Sequence, residues 1–410
     1  MSRHQDIGRR DLLHLIGVAA PGVLIDQTLV KTMSDRTYKN RSPTPDAITL
    51  FLCGDVMLGR GIDQILPHPG DPRLYEPEVR SAKTYVELAE RLNGPIPMPV
   101  DPSYVWGDAL DVLRRVEPDL RIINLETSIT KSSDAVAKGI NYKMNPKNIA
   151  CLTAAGIDCC VLANNHVLDW SQAGLLETLD TLDQAGIRTA GAGRDVSQAE
   201  APAVLEVPGK GRVLVFAFGS ETSGISQRWV SGRDRPGLNL LEDLSDRTVA
   251  HIAEQVEARP GDVLVASIHW GGNWGYDIPR QQTRFAHGLI DQAGFDVVHG
   301  HSSHHPKGIE VYRGRAIIYG CGDFLNDYEG IAGYEEFRDD LVVMYLPSIA
   351  RSTGQLVDFR LFPFQIRTFR LNRASERDAA WLRATLSRES TRFGVGVQLS
   401  EKGSLSVTWR

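Results

Sequence analysis

Histidines, carboxylates and asparagines stand at the ends of six short apolar runs in this chain of 410 residues. Ile48 to Cys53 stops at Gly54-Asp55, Leu120 to Leu125 at Glu126, and Cys159 to Ala163 at Asn164-Asn165-His166. Val263 to Ile268 stops at His269-Trp270-Gly271-Gly272, and Phe295 to Val298 at His299-Gly300-His301-Ser302-Ser303-His304-His305. Ala316 to Tyr319 stops at Gly320-Cys321-Gly322-Asp323. Four of the 11 histidines fall between positions 299 and 305. Carboxylate and amide oxygens together with imidazole nitrogens suit a borderline divalent ion, Mn²⁺, Fe²⁺ or Zn²⁺, better than Mg²⁺ alone. Isolated cysteines such as Cys53, two residues before Asp55, and Cys321, two before Asp323, do not make the thiolate set of a structural zinc site. So many donors can hold two ions about 3.5–4 Å apart, bridged by a carboxylate, with metal-bound hydroxide attacking phosphorus or a carbonyl carbon. Glu126 is the candidate bridge. His166, next to the candidate ligand Asn165, is placed to protonate a leaving group. Asp169, three residues on, either orients that imidazole or caps the helix that begins near Ser171.

The elements that must carry these groups follow from the same runs. Segments that are apolar throughout, without alternation, read as strands buried on both faces. Helical patterns fall between several of them. Ser171 to Ala185 places Leu175, Leu179 and Leu182 on one face before Gly186, Asn145-Pro146 to Ala155 stops at Gly156, and Arg280 to Ala293 stops at Gly294. Strands alternating with helices imply βαβ units, parallel pairing and a site beyond the carboxyl ends of the strands. Eight of the 21 prolines lie between Pro67 and Trp106, which marks an insertion around one helix, Tyr85 to Leu92. After Leu341 the pattern alternates, with strands at Leu341 to Tyr345 and Leu356 to Phe362, a helix at Glu376 to Ser387 and a last strand near the end. The chain thus divides into an N-terminal extension (1–46), a main domain (47–370, insertion near 67–106) and a C-terminal helix and strand (371–410) packing on it.

Composition narrows the class. Hydrophobic residues make up 42% and charged residues 23%, which excludes a disordered tail, a collagen-like fibre and a polytopic membrane protein. With 45 basic against 51 acidic residues, binding of nucleic acid through bulk charge is not expected. Five cysteines without a CxxC pair read as small buried hydrophobes, since a chain this long needs no disulfide staples. Arg9-Arg10 precedes an apolar stretch to about Ile25, too short to span a bilayer, so no integral span is expected. The arginine pair is compatible with a twin-arginine export signal, and Lys31 to Pro45 reads as a linker. Export and a cytoplasmic location are equally compatible with this segment.

Several strings in order resemble the bacterial capsule-synthesis family, named for CapA and poly-γ-glutamate biosynthesis and similar to the calcineurin-like metallophosphatases. They are Gly54-Asp55-Val56-Met57-Leu58-Gly59-Arg60, Asn124-Leu125-Glu126, and Ala163-Asn164-Asn165-His166-Val167-Leu168-Asp169. Ala185-Gly186-Ile187, Gly191-Ala192-Gly193, His269-Trp270-Gly271 and Gly300-His301-Ser302-Ser303-His304 continue the match, over residues 48 to 345 or so. The resemblance implies an α/β fold, a four-layer α/β/β/α sandwich of the metallophosphatase type, with two divalent ions between the sheet ends. It implies Asp55, Glu126, Asn165, His269, His301 and His304 as metal ligands and His166 as proton donor. Two departures stand out. Met57 occupies the place where metallophosphatases put a ligand histidine, and two serines separate His301 from His304, so that His305 or His299 competes for the last ligand position.

Arg60, Lys143 and Trp270 are candidates to bind the substrate, against the alternatives of an ion-paired cation for the first two and core packing for the third. Asp323 and Asp327 are expected in supporting or loop roles rather than as ligands. The favoured function is a metal-dependent hydrolase, most simply a phosphoesterase, acting on a phosphorylated or polyanionic small molecule or polymer. The alternatives are an accessory factor in capsule or poly-γ-glutamate assembly or export, a hydrolase or transferase at a γ-glutamyl amide bond, and a relic site without metal.

Overall fold

The computed structural model describes residues 46–400 and 403–410, so the export signal and linker expected before residue 46 lie outside the described residues. Two large sheets are present. The first orders its main strands Gly396–Leu399, Leu405–Thr408, Gln355–Arg367, Leu341–Ala350, Ala47–Val56, Leu120–Leu125, Cys159–Val161 and Arg188–Ala190. From Ala47–Val56 to Arg188–Ala190 the pairing is parallel, as the uniformly apolar runs require, and the rest of that series is antiparallel. The second sheet orders Ile309–Tyr312, Arg315–Ile318, Val297–His301, Val263–His269, Gly211–Gly219 and Ala203–Val207, parallel through its four central strands.

Alternation along each strand sorts the side chains into layers. Val263, Val265 and Val297 face inward and share one core with Ile48, Leu50, Leu52, Ile122 and Val161 of the first sheet. Leu264, Ala266 and Ile268 face outward and pack on Phe285, Ala286 and Leu289 of the helix Arg280–Ala293. The outer face of the first sheet is covered likewise, with Leu175, Leu179 and Leu182 of the helix Ser171–Gln184 packed in the core that holds Phe51 and Ile123. The result is the expected four-layer α/β/β/α sandwich.

Local expectations hold with adjustments. The helix Arg280–Ala293 ends where expected, closed by Gly294 in the left-handed region (φ 75°). The helix expected from Asn145 is instead a 3₁₀ turn, Pro146–Asn148, and a short helix, Ala150–Ala154. The Asn145 side chain accepts from the Lys147 amide and sets that first turn. The insertion contains a longer helix, Lys83–Asn93, than the apolar spacing marks. All five cysteines are free and buried, as small hydrophobes.

Candidate metal centre

Both sheets end at the same place. On the second sheet, inward-facing parity carries from Val263 and Val265 to Ser267 and His269, and from Val297 to His299 and His301. Parallel register sets Ser267 beside His299 and His269 beside His301. On the first sheet a register shift between Leu52 and Asp55 re-aims the end of the strand. Gly54 is needed there, because a Cβ at that position would lie 1.5 Å from the Gly322 carbonyl oxygen. Asp55 is thereby brought level with Asn124 on one side and Asp323 on the other.

The resulting cluster is buried. Asn124 donates to Asp55 Oδ1 at 2.6 Å, and Asn164 in turn donates to Asn124 Oδ1 at 3.0 Å. His269 Nδ1 and His301 Nδ1 are 2.8 Å apart, and lie 4.0 and 3.9 Å from Asp55 Oδ1. On its other edge, His269 Nε2 is 2.9 Å from Asn165 Oδ1 and 3.9 Å from Glu126 Oε1. His304 Nδ1 lies 2.9 Å from Asp323 Oδ1. Asp55 with His269 and His301, and Asp55 with His304 and Asp323, form two groups whose donor atoms all lie within 4.8 Å of one another.

A hydrogen-bond wire fixes which nitrogen His301 presents. The Cys53 carbonyl can only accept, so the His299 Nε2–H donates to it at 2.7 Å. Burial pushes the His299 imidazole down to about 4, so the ring is neutral and its Nδ1 accepts from the Ser267 hydroxyl, 3.0 Å away. The Ser267 oxygen then accepts the His301 Nε2–H at 2.9 Å, and the His301 Nδ1 lone pair is left facing Asp55.

These residues fit a divalent ion. Among the described residues neither Asp55 nor Glu126 has a lysine or arginine ion-pair partner, although both are buried. Burial, with Asp323 alongside, pushes Asp55 up to about 7; burial and then Asp55 and Asp323 hold Glu126 well above the usual carboxylate range. Burial holds His269 and His301 well below the ordinary imidazole value, which keeps their lone pairs free. Buried carboxylates without a cation facing neutral imidazoles are a donor set that a divalent ion completes.

Beside this cluster stands a second arrangement. His166 Nδ1 lies 2.6 Å from Asp169 Oδ2, and His166 Nε2 is 4.0 Å from Glu126 Oε1. Asp169 also accepts from the Tyr142 amide and from Lys138 Nζ, both at 2.7 Å, and does not cap the helix at Ser171. Tyr142 stacks on the His166 ring with centroids 3.9 Å apart. Burial pushes His166 down to about 4 against the pull of Asp169, so the unliganded ring is neutral, with its Nε2 lone pair toward Glu126. Lys138 Nζ also donates to the Asn165 carbonyl, and Lys138 lines an open groove of about 450 Å³ formed by Tyr75, Ser133 to Gly139 and Asn141.

Residues 49–328 match the family described as bacterial capsule synthesis protein PGA_cap. The chain belongs to this family. Its relatives include the probable polyglutamine synthesis accessory protein of Mycobacterium tuberculosis, 49% identical over 88% of this chain and 96% of the relative. The PGA biosynthesis protein CapA of Bacillus subtilis is 25% identical over 75% of this chain and 70% of that protein. A phosphatase crystal structure from Mycoplasma pneumoniae aligns at a TM-score of 0.43 and 10% identity, over 78% of this chain and 94% of that one. The last similarity is too low to bear on the fold, which rests on the layers described above.

Within this PGA_cap chain the three expected substrate-binding residues all have partners inside the protein. Arg60 is 3% exposed and fully engaged: its guanidinium donates to Glu76 at 2.9 Å and to both oxygens of Asp327, with Tyr85 beneath it. Each of its three nitrogens thus has a carboxylate partner inside the protein. Lys143 Nζ sits 3.7 Å over the Trp170 ring and donates to the Ser132 carbonyl, in a separate recess with Asp63 and Asp71. Trp270 is a core residue that donates to the Tyr319 carbonyl and stacks on that ring, on the helix-covered side of the sheet. His299 is a buried strand residue with both nitrogens bonded, and His305 is enclosed by Trp274, Tyr276 and Phe337. Among the last-motif histidines, His301 and His304 face the cluster. Ser267, Lys138 and Tyr142 are additions. Strand parity beside His269 marks Ser267 as inward-facing, whereas nothing in the loop sequence marks Lys138.

Proposed function

We propose that this PGA_cap protein is a metal-dependent hydrolase, most simply a phosphoesterase, with Asp55, Glu126, Asn165, His269, His301 and His304 as ligands and His166 as proton donor. The observation that carries the reading is the buried Asp55–His269–His301 group set beside the Asp169-held His166, whose free nitrogen lies 4.0 Å from Glu126. Bound divalent ions supply Lewis acidity and an activated water there. The residues supply the rest. Asp169 holds the His166 Nδ1–H, so Nε2 is the atom that meets the leaving group. An anionic substrate brings the negative charge that stabilises the imidazolium, so that the ring, neutral when free, is protonated in the complex and gives its proton to the departing oxygen. Lys138 and the adjoining groove receive the leaving-group side, and the buried strand ends exclude bulk water.

A second reading draws on the relatives' printed names, an accessory protein of polyglutamine synthesis and a PGA biosynthesis protein. In it the same centre grips, cleaves or transfers a polyanionic glutamate chain at its carboxylates or γ-glutamyl amide bonds. Metal analysis of purified protein together with hydrolysis of a bis-aryl phosphodiester, with and without added Mn²⁺, separates the two. Bound ion and turnover support the phosphoesterase. Bound ion without turnover, followed by cleavage of or affinity for poly-γ-glutamate, supports the second. Protein that takes up no ion is incompatible with both.

A further inference from the structure

Met57 is the departure that most weakens a two-ion centre, because it removes an imidazole from the first strand. Its side chain is buried and turned away, with Sδ accepting from the Gly59 amide at 3.2 Å. Yet the space beside Asp55 is not left to apolar groups. The strand Asp323–Leu325 pairs in parallel with the end of Ala47–Val56, Asp55 opposite Asp323, and the Asp55 amide donates to the Gly322 carbonyl at 3.2 Å. Gly54 and Gly322 make this approach possible, Gly322 in the left-handed region at φ 78° and without room for a Cβ.

We propose that Asp323, with Asp55 and His304, holds a second divalent ion and takes the place of the imidazole that Met57 does not supply. The proposal rests on the reading of the cluster as a metal centre and names a ligand outside that reading's set. Two observations carry it beyond a cluster of acids. The donor atoms of Asp55, His304 and Asp323 lie within 4.8 Å of one another, and Asp55, rather than Glu126, the bridge expected from the sequence, is the carboxylate shared with the His269–His301 group. Both other members are held from outside: Asn326 donates to Asp323 Oδ2 at 2.8 Å, and the Asn273 side chain lies 3.0 Å from His304 Nε2. Asp327, four residues on, is spent on Arg60, whereas among the described residues Asp323 has no lysine or arginine partner.

The two positions differ in chemistry. Asp55 with His269 and His301 is the group richer in nitrogen, and Glu126 and Asn165 add oxygens on the other edge of His269, whereas Asp55 with His304 and Asp323 is the group richer in oxygen and the more suited to a hard ion such as Mn²⁺. The centre is therefore asymmetric in its donors.

Titration of the metal-free full-length protein with Mn²⁺, followed by electron paramagnetic resonance, tests this without reference to turnover. Wild type binds two Mn²⁺ and shows an exchange-coupled spectrum. Asp323→Asn keeps the shape and can still accept from Asn326 through its one amide oxygen, but lowers affinity at one position by about a hundredfold or more, leaving a mononuclear spectrum. His304→Asn loses the same position and His301→Ala the other, which guards against an effect of misfolding in one variant. Asp323→Asn that still binds two Mn²⁺ within threefold of wild-type affinity overturns the proposal, as does wild type that binds one ion only. Wild type that binds no Mn²⁺ at millimolar concentration overturns the metal reading itself.

Discussion

The first sheet brings oxygen to the centre and the second brings nitrogen. Asp55 stands near the end of its strand, and Glu126 and Asn165 follow theirs; these ends are irregular, with a register shift at Asp55 and a loop carrying Asn164 and Asn165. His269 and His301 are the last residues of two strands in unbroken parallel register, and Ser267 and His299 support them one step back. The contrast has a physical basis. An imidazole must present one particular nitrogen along one direction, so it gains from a regular strand and a neighbour that fixes its tautomer. A carboxylate has two equivalent oxygens and tolerates an irregular backbone. The sheet with more order carries the proposed ligands that need more orientation.

Substitutions in the two sheets sharpen or break that contrast. The largest effect is expected for His301→Ala, which removes a nitrogen that no neighbour can replace. Affinity for one Zn²⁺ or Mn²⁺ should fall by more than about a hundredfold, beyond the usual loss for a supporting residue. An unchanged metal titration would break the assignment of nitrogen to the second sheet. Next comes His166→Ala on the first-sheet side, where turnover of the phosphodiester should drop by about 10²–10⁴-fold while both ions stay bound. Wild-type turnover from that variant would remove His166 from the proton-donor role.

Ser267→Ala should be milder, about 10–100-fold in metal affinity, because it frees the tautomer of His301 without removing the ring. Long-range ¹H–¹⁵N spectra of the metal-free protein provide the direct reading. Wild-type His301 should carry its proton on Nε2, and the variant should show a mixture. The smallest effect is expected at His305, outside the centre. Burial first, then Lys307, pushes that imidazole from 6.5 down to about 4, and its Nε2 has no hydrogen-bond partner. Between those values the unfolded chain takes up a proton that the folded protein does not, so stability is complete above pH 6.5 and is lost as pH falls toward 4. His305→Phe should reduce the acid slope of stability by at most one proton, about 1.4 kcal/mol per pH unit, in melting curves between pH 4.5 and 7.5. A steeper acid slope in the variant would contradict the enclosed, neutral ring.

The strand ends were legible because a uniformly apolar run that stops at Asp, Glu, Asn or His has one economical meaning in a sheet covered by helices. That reasoning located the centre on both sheets. It failed at Trp270 for want of parity: a residue next to inward-facing His269 must face outward, with Ile268 and Ala266. Arg60 was misjudged because its partners, Glu76 and Asp327, come from an insertion and a loop whose approach no local pattern records. The place of Asp323 beside Asp55 was illegible for the same kind of reason, since it depends on the close passage of Gly54 and Gly322, a contact between segments far apart in sequence.

The Cys53 carbonyl that anchors His299 belongs to one layer, and the ring it holds belongs to the other. The spacing between layers is thus a calibrated gap. Opening it by a fraction of an ångström would release the wire and free the tautomer of His301, so that the nitrogen facing Asp55 would no longer be held as an acceptor, with every proposed ligand still present. Residues such as Leu52 and Val265, which fill the space between the sheets and touch no ion, therefore set the tolerance to which the chemistry is built.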